Sequence, residues 1–187
     1  MPGLRVIAGE AKGRRLKMVP GLETRPIGDR AKEALFDILS ADVTDARVLD
    51  LFAGTGSVGI EALSRGAARA VFLDSSSAAV RTIRANLQTT GLGGRAAVLQ
   101  GDAFDFLRSN PVEAFDLVYL APPQYRGLWR RALEMLDEHS AWLAPDAQVI
   151  VQIDPKEEQT PDLKRLLPID RRRYGNTLLV FFDFPGS

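Results

Sequence analysis

Asp50, Gly54, Gly56 and Gly59 stand close together in the run Val48-Leu49-Asp50-Leu51-Phe52-Ala53-Gly54-Thr55-Gly56-Ser57-Val58-Gly59. The run reads as a buried strand that breaks into a glycine turn and re-enters a helix. Glycine lacks Cβ and tolerates positive φ, so such a turn brings bare backbone close to a ligand. The free N–H groups that open the next helix suit a carboxylate or a phosphate. The three glycines also satisfy G-x-G-x-x-G, the dinucleotide fingerprint, which by itself does not choose a ligand.

Asp50 narrows the choice. A dinucleotide sets its pyrophosphate at this turn, and a carboxylate there would repel it. S-adenosylmethionine has no phosphate; it carries a sulfonium, an ammonium and one small carboxylate, and an acid at the turn favours that cation. Asp74 closes the next expected strand, Ala70-Val71-Phe72-Leu73. It lies where an acid can hold both ribose hydroxyls, in either ligand class.

Ligands of such folds sit outside the carboxyl ends of the strands. After the third expected strand comes Gly101-Asp102-Ala103. Asp102 suits an adenine amine, a helix N-cap, or both. After the fourth comes Ala121-Pro122-Pro123-Gln124-Tyr125. The prolines fix the backbone, lack N–H groups and leave their carbonyls as free acceptors. Tyr125 offers a face on which a flat ring can stack. Acceptors beside a stacking face suit a planar amine.

These residues need a scaffold. Strands are expected at 47–52, 70–74, 96–100, 115–121 and 147–153, with helices at 57–65, 76–90, 103–109 and 127–139. That alternation gives a parallel sheet covered on both faces. Residues 166–174 and 177–184 read as a hairpin turning at Gly175-Asn176, so the sheet finishes antiparallel. A helix over 29–39 carries the apolar stripe Ala31, Ala34, Leu35, Ile38 and Leu39, with Arg30, Lys32, Glu33 and Asp37 opposite. Residues 1–26 form a separate small region, with strands at 4–8 and 15–19 and a turn between. Its charge is mostly basic: Arg5, Lys12, Arg14, Arg15 and Lys17 against Glu10. Charge alone leaves two readings open, a solvated hairpin with protected edges and an arm that grips phosphates.

Composition sets outer bounds. A chain of 187 residues holds one domain with a small appendage. Cysteine is absent, which excludes disulfides, thiolate metal sites and covalent cysteine catalysis, including pyrimidine C5 methylation through a cysteine adduct. The lone His139 cannot build a histidine metal centre, so no metal is expected. Apolar runs fall short of the ~20 residues of a membrane span, and the N-terminus lacks the apolar core of a signal peptide. Cytoplasmic residence without membrane association is expected. The net charge is zero, so nucleic-acid binding requires a local patch.

The chain resembles the class I S-adenosylmethionine methyltransferases, and within them the RsmD-type enzymes that methylate guanine N2 in small-subunit ribosomal RNA. The likeness is carried by Arg5-Val6-Ile7-Ala8-Gly9 with Lys12-Gly13-Arg14-Arg15-Leu16, by Thr24-Arg25-Pro26 and by Asp29-Arg30-Ala31-Lys32-Glu33-Ala34-Leu35-Phe36. It continues in Leu49-Asp50-Leu51-Phe52-Ala53-Gly54-Thr55-Gly56, in Gly59-Ile60-Glu61-Ala62-Leu63-Ser64-Arg65-Gly66-Ala67 and in Tyr174-Gly175-Asn176-Thr177.

The resemblance implies a Rossmann-like α/β fold: a mostly parallel seven-stranded sheet, an antiparallel C-terminal hairpin, and a small N-terminal β-hairpin extension (1–26) on the methyltransferase domain (27–187). It implies a cofactor over Asp50, Phe52, Ala53, Gly54, Thr55, Gly56 and Gly59, its ribose at Asp74 and Ser75, its adenine beside Asp102 and Ala103. The RNA-gripping residues would be Arg5, Lys12, Arg14, Arg15, Lys17, Arg25 and Arg30. Separately, a neutral chain with a local basic patch suggests a weak grip on naked RNA and hence a small-subunit particle as partner, with a monomer as the default expectation. The catalytic loop would be Ala121, Pro122, Pro123, Gln124 and Tyr125, with Tyr125 stacking on the target base and the methyl passing in line to the amine.

That loop departs from the family pattern. The family places Asp or Asn before Pro-Pro and an aromatic directly after. Here Ala121 takes the acid's place, Gln124 stands at the aromatic position and Tyr125 comes one residue late. Pro carbonyls remain as acceptors, with Gln124 a substitute. Three other readings stay open: an amino methyltransferase for DNA adenine or protein glutamine, a nucleotide-binding oxidoreductase, and an RNA-binding assembly protein that keeps the pocket without catalysis.

Overall fold

The computed structural model describes residues 3–21 and 26–186. Arg25 therefore lies outside the described residues, as does Thr24. Alternating apolar strands and amphipathic helices give one seven-stranded sheet in the order β3-β2-β1-β4-β5-β7-β6. The strands are β1 (Arg47–Leu51), β2 (Arg69–Asp74), β3 (Ala96–Gln100), β4 (Phe115–Leu120), β5 (Leu143–Ile153), β6 (Leu167–Tyr174) and β7 (Thr177–Phe184). The first five pair in parallel. β7 is antiparallel to both β5 and β6, as the Gly175-Asn176 signal requires. β5 starts at Leu143, earlier than its apolar run suggests. Its pairing with β4 shifts register between Phe115 and Leu117, and Asp146 takes φ 65° in the irregular stretch.

The helices are α1 (Asp29–Leu39), α2 (Ser57–Ser64), α3 (Ser77–Thr90), α4 (Ala103–Arg108) and α5 (Leu128–Glu138). Strand alternation sends side chains to two cores. Val48, Phe72, Leu117, Tyr119 and Ile150 pack with residues of α1, α2 and α3 on one face. Leu49, Leu51, Val71, Val118 and Val149 pack with α4 and α5 on the other. Among the described residues, no helix is long and apolar enough to cross a membrane.

The N-terminal segment pairs less than its alternation suggests. A single antiparallel bridge joins Arg5 to Arg15, supported by Val6 N–H to Arg14 O at 2.9 Å and Leu16 N–H to Leu4 O at 2.8 Å. The chain turns there against α2. Gly9, at φ +86°, lies so close that a Cβ would fall 1.9 Å from the Ser64 carbonyl oxygen. Val6, Ala11 and Leu16 are buried in the α1–α2–α3 core.

This docking overturns one expectation for α1. Lys32, read as lying opposite the apolar stripe, is fully buried. The N-terminal segment covers that side of the helix. Lys32 Nζ donates to Arg5 O at 2.6 Å and to Ser57 Oγ at 3.0 Å, and pairs with Glu61 at 3.3 Å. Glu61 is buried as well and accepts from Ile7 N–H at 2.8 Å, Ala8 N–H at 3.0 Å and Arg65 Nε at 2.8 Å. Burial lowers the Lys32 pKa, against the pull of Glu61.

Candidate active site

The carboxyl ends of β1 to β5 meet around one cavity of about 260 Å³. The turn after β1 contributes Asp50, Phe52, Ala53, Gly54 and Thr55. Asp74 and Ser75 come from the end of β2, Asp102 and Ala103 from the start of α4. The loop after β4 adds Ala121, Pro122, Pro123 and Gln124. Residues far apart in the chain and singled out by type thus share one wall.

The glycine turn is shaped by its own hydrogen bonds. Gly56 N–H donates to Ala53 O at 2.8 Å, and Gly56, at φ 77°, caps α2. Phe52 also lies in the left-handed region, at φ 60°, a strained conformation of the kind found around ligand sites. Its ring meets Phe104 edge-on at 6.1 Å.

Gly56 and Gly59 do not line the cavity. A Cβ on Gly59 would fall 2.3 Å from Phe72 Cε1 and 3.2 Å from Asp50 Oδ2. The third glycine of the motif therefore lets α2 pack on the sheet and lets its N–H reach Asp50.

The acids differ in setting. Asp74 accepts from Gly54 N–H and from Ser76 N–H, each at 2.9 Å. Each oxygen keeps a further lone pair able to accept from a hydroxyl, and Asp74 lines the cavity. Asp102 caps α4 by accepting from Phe104 N–H at 2.8 Å and Asp105 N–H at 3.0 Å, and lines the cavity too. Asp50 is buried and accepts from Gly59 N–H at 3.1 Å. Burial pushes its pKa up to about 8; the Gly59 bond opposes this and the nearby Asp74 charge adds to it. With such a pKa Asp50 holds its proton at neutral pH.

Three acids, Asp50, Asp74 and Asp102, line this cavity and, among the described residues, no lysine, arginine or histidine does. Such a wall disfavours a pyrophosphate and favours a cation whose arrival ionises Asp50. The donor set fits a nucleoside that carries positive charge. Among the described residues, no group of acids and histidine could hold a metal ion.

Tyr125 does not line the cavity. It takes φ 63° and is 63% exposed. Its N–H donates to Glu157 Oε1 at 2.6 Å and its hydroxyl to Asp154 Oδ2 at 2.9 Å. Coming one residue late, past a backbone reversal, the ring ties the loop to residues 154–157. The stacking contact expected of it has no support in this geometry.

Several lining residues escaped the sequence reading, among them the polar side chains of Ser57, Tyr119 and Gln152. Tyr119 pairs in register with Asp50 across β1 and β4, and its hydroxyl donates to Gln152 Oε1. The available signal was a polar residue interrupting an apolar run near a strand's carboxyl end, as Gln152 does in Val149-Ile150-Val151-Gln152-Ile153.

The basic residues of the arm lie on the outside. Lys12, Arg14, Arg15, Lys17 and Arg30 are exposed, and Arg5 pairs with Asp29 at 3.0 Å. Asn86 wires the arm to the site. It is buried, exchanges bonds with Lys17 N–H at 2.7 Å and Lys17 O at 3.1 Å, and donates to Thr55 O at 2.9 Å.

Comparison with known proteins agrees with this architecture. The family model described as conserved hypothetical protein 95 matches residues 4–183. Ribosomal RNA small subunit methyltransferase D of Haemophilus influenzae is 37% identical over 153 residues, 81% of this chain and 79% of that protein. The Bacillus subtilis protein YlbH is 35% identical over 185 residues, 98% of this chain and all of that protein. Among solved structures, yhhF of Escherichia coli superposes with a TM-score of 0.85 at 30% identity, covering 98% of each chain. An RNA methyltransferase of Salinibacter ruber, solved with S-adenosyl-L-homocysteine, shares the fold at a TM-score of 0.66 and 20% identity, over 87% of this chain and 95% of that one. With its model spanning nearly the whole sequence, the chain belongs to the conserved hypothetical protein 95 family, the RsmD-type class I methyltransferases.

Proposed function

We propose that this chain uses S-adenosylmethionine to methylate the exocyclic N2 of a guanine in small-subunit ribosomal RNA, by direct in-line transfer. The observation that carries the reading is the union of an acid-walled nucleoside cavity with the Pro122-Pro123 turn in one pocket. The name of the Haemophilus influenzae relative supports the substrate class. The bound donor supplies a methyl group made electrophilic by a sulfonium.

The chain's own residues do the rest. Asp50 gives up its proton and becomes the counter-charge to the donor's cationic end. Asp74 accepts from the ribose hydroxyls, and Asp102 with Ala103 borders the adenine. The target amine is a poor nucleophile because its lone pair is delocalised into the ring. Backbone carbonyls of the Pro122-Pro123 turn accept its hydrogens, draw them from the ring plane and localise the pair. No strong base is needed beforehand, since the alkylated amine is acidic and loses its proton afterwards. Positioning supplies the remaining rate, and the base must leave its stack to enter the pocket. The exposed cations Lys12, Arg14, Arg15, Lys17 and Arg30, together with Arg5, hold RNA phosphates. A chain of zero net charge grips naked RNA weakly, which favours an assembled or assembling particle met by a monomer.

The test is transfer of tritiated methyl from S-adenosylmethionine to undermethylated small subunits, followed by digestion to nucleosides. Label in N2-methylguanosine is expected. Label in another nucleoside, or none in the RNA, would contradict the reading.

A further inference from the structure

Ala121 leaves the loop without the side-chain acceptor that its family pattern places before Pro-Pro. The sheet shows what stands beside the gap. β4 and β5 run parallel with Tyr119 opposite Ile150 and Leu120 opposite Val151. Continued one residue past the end of β4, that register would bring Ala121 beside Gln152. Ala121 packs against the same cluster as Tyr119 and Ile150. Gln152 reaches that face too, because its Oε1 accepts from the Tyr119 hydroxyl. Both Ala121 and Gln152 line the cavity.

The Gln152 side chain is tethered, whereas Gln124 is exposed on the loop. Tyr119 is buried at 4% exposure. Burial, with Asp50 nearby, keeps its phenol protonated far above neutral pH, so it donates and fixes the amide. Gln152 Oε1 retains a second lone pair, and Nε2 carries two hydrogens. Guanine presents the N2 amine, a donor, directly beside N3, an acceptor. A carboxamide matches that pair, as acceptor to the amine and donor to the ring nitrogen.

We propose that Gln152, held by Tyr119, takes the hydrogen-bonding place left empty at Ala121 and recognises the target amine with its adjacent ring nitrogen. This rests on the methyltransferase reading above. Gln152 is then a substrate-contacting residue, and Tyr119 its positioning residue.

The experiment measures single-turnover methyl transfer to undermethylated small subunits by the wild-type chain, Gln152→Leu, and Gln152→Leu combined with Ala121→Asp. Melting temperature and S-adenosylhomocysteine affinity by calorimetry are measured alongside. Gln152→Leu is expected to slow transfer by about 10²-fold, the usual effect of losing one preorganised hydrogen-bonding partner. Its cofactor affinity should stay within about twofold of wild type, and Ala121→Asp should recover at least about tenfold of the lost rate. Wild-type transfer by Gln152→Leu would overturn the proposal. So would a matching loss of cofactor binding or fold, which marks a structural role, or a loss that Ala121→Asp does not relieve. A wild-type chain inert on these particles would sink the functional reading itself, and this proposal with it.

Discussion

Lys32 and Glu61 form an ion pair at 3.3 Å with neither side chain exposed to solvent. The pair joins three parts of the molecule: the N-terminal segment through Arg5 O, Ile7 N–H and Ala8 N–H, α1 through Lys32, and α2 through Glu61 and Ser57. Ser57 lines the cavity, so the basic arm and the cavity share one buried joint. Removing one member of such a pair strands the other's charge and costs about 3–5 kcal/mol. Lys32→Met is expected to lower unfolding stability by about 3 kcal/mol in urea titration. An unchanged midpoint would show that the joint does not hold the arm.

Asp50 sets a pH dependence of opposite sign to that of an ordinary surface carboxylate. Its folded pKa is about 8, against about 3.9 in an unfolded chain. Between these values the folded state keeps a proton that the unfolded state has lost. Stability of the cofactor-free protein therefore falls as pH rises from about 4 to about 8. Asp50→Asn removes this dependence. The melting temperature of the variant, relative to wild type, should climb steadily over that range without cofactor; a constant difference would contradict the buried neutral acid.

Gly59 tests the packing role of the third glycine. The Cβ of Gly59→Ala would meet Phe72 at 2.3 Å, a clash that a buried ring in a full core cannot easily relieve. Overpacking of this kind costs about 1–3 kcal/mol. The melting temperature should drop accordingly, and cofactor affinity should fall with it, because Asp50 accepts from the same residue's N–H. A variant as stable as wild type would mean that α2 shifts freely on the sheet.

Most of the scaffold was legible because its signals are local. Apolar runs broken by Gly54, Gly91 and Gly175 mark strand and helix ends, and α1 begins and ends where its stripe predicts. The wall of acids was legible as well, since Asp50, Asp74 and Asp102 each end or follow a strand. Lys32 was misread because helical spacing shows which face is apolar. It does not show that a separate segment will cover the opposite face. Gly59 carries the same lesson: its motif suggested a ligand contact, while its place over Phe72 depends on how a helix meets a strand across the sheet. Tyr125 and Gln152 were hard to place for a related reason. The sequence shows an aromatic beside Pro-Pro but not the positive φ that turns it toward Asp154 and Glu157, and a glutamine late in a strand carries no mark until its amide is seen to accept from Tyr119.

The arm's cations should act through phosphates, without reading sequence. Replacing Lys12 and Arg15 together by alanine is expected to raise KM for small subunits, leave kcat near wild type, and reduce the salt slope of binding by about two. Both residues are exposed, so folding should be untouched. An unchanged salt slope would assign the arm a purely structural role.

The most direct measurement is calorimetry of the purified protein at neutral pH with S-adenosylmethionine and, separately, NADH, in two buffers of different ionisation enthalpy. The expected result is binding of S-adenosylmethionine with release of about one proton, abolished in Asp50→Asn, and no detectable binding of the dinucleotide. Binding of NADH, or a methyl donor that docks without releasing a proton, would contradict the claim that a buried acid beside the glycine turn holds a cation.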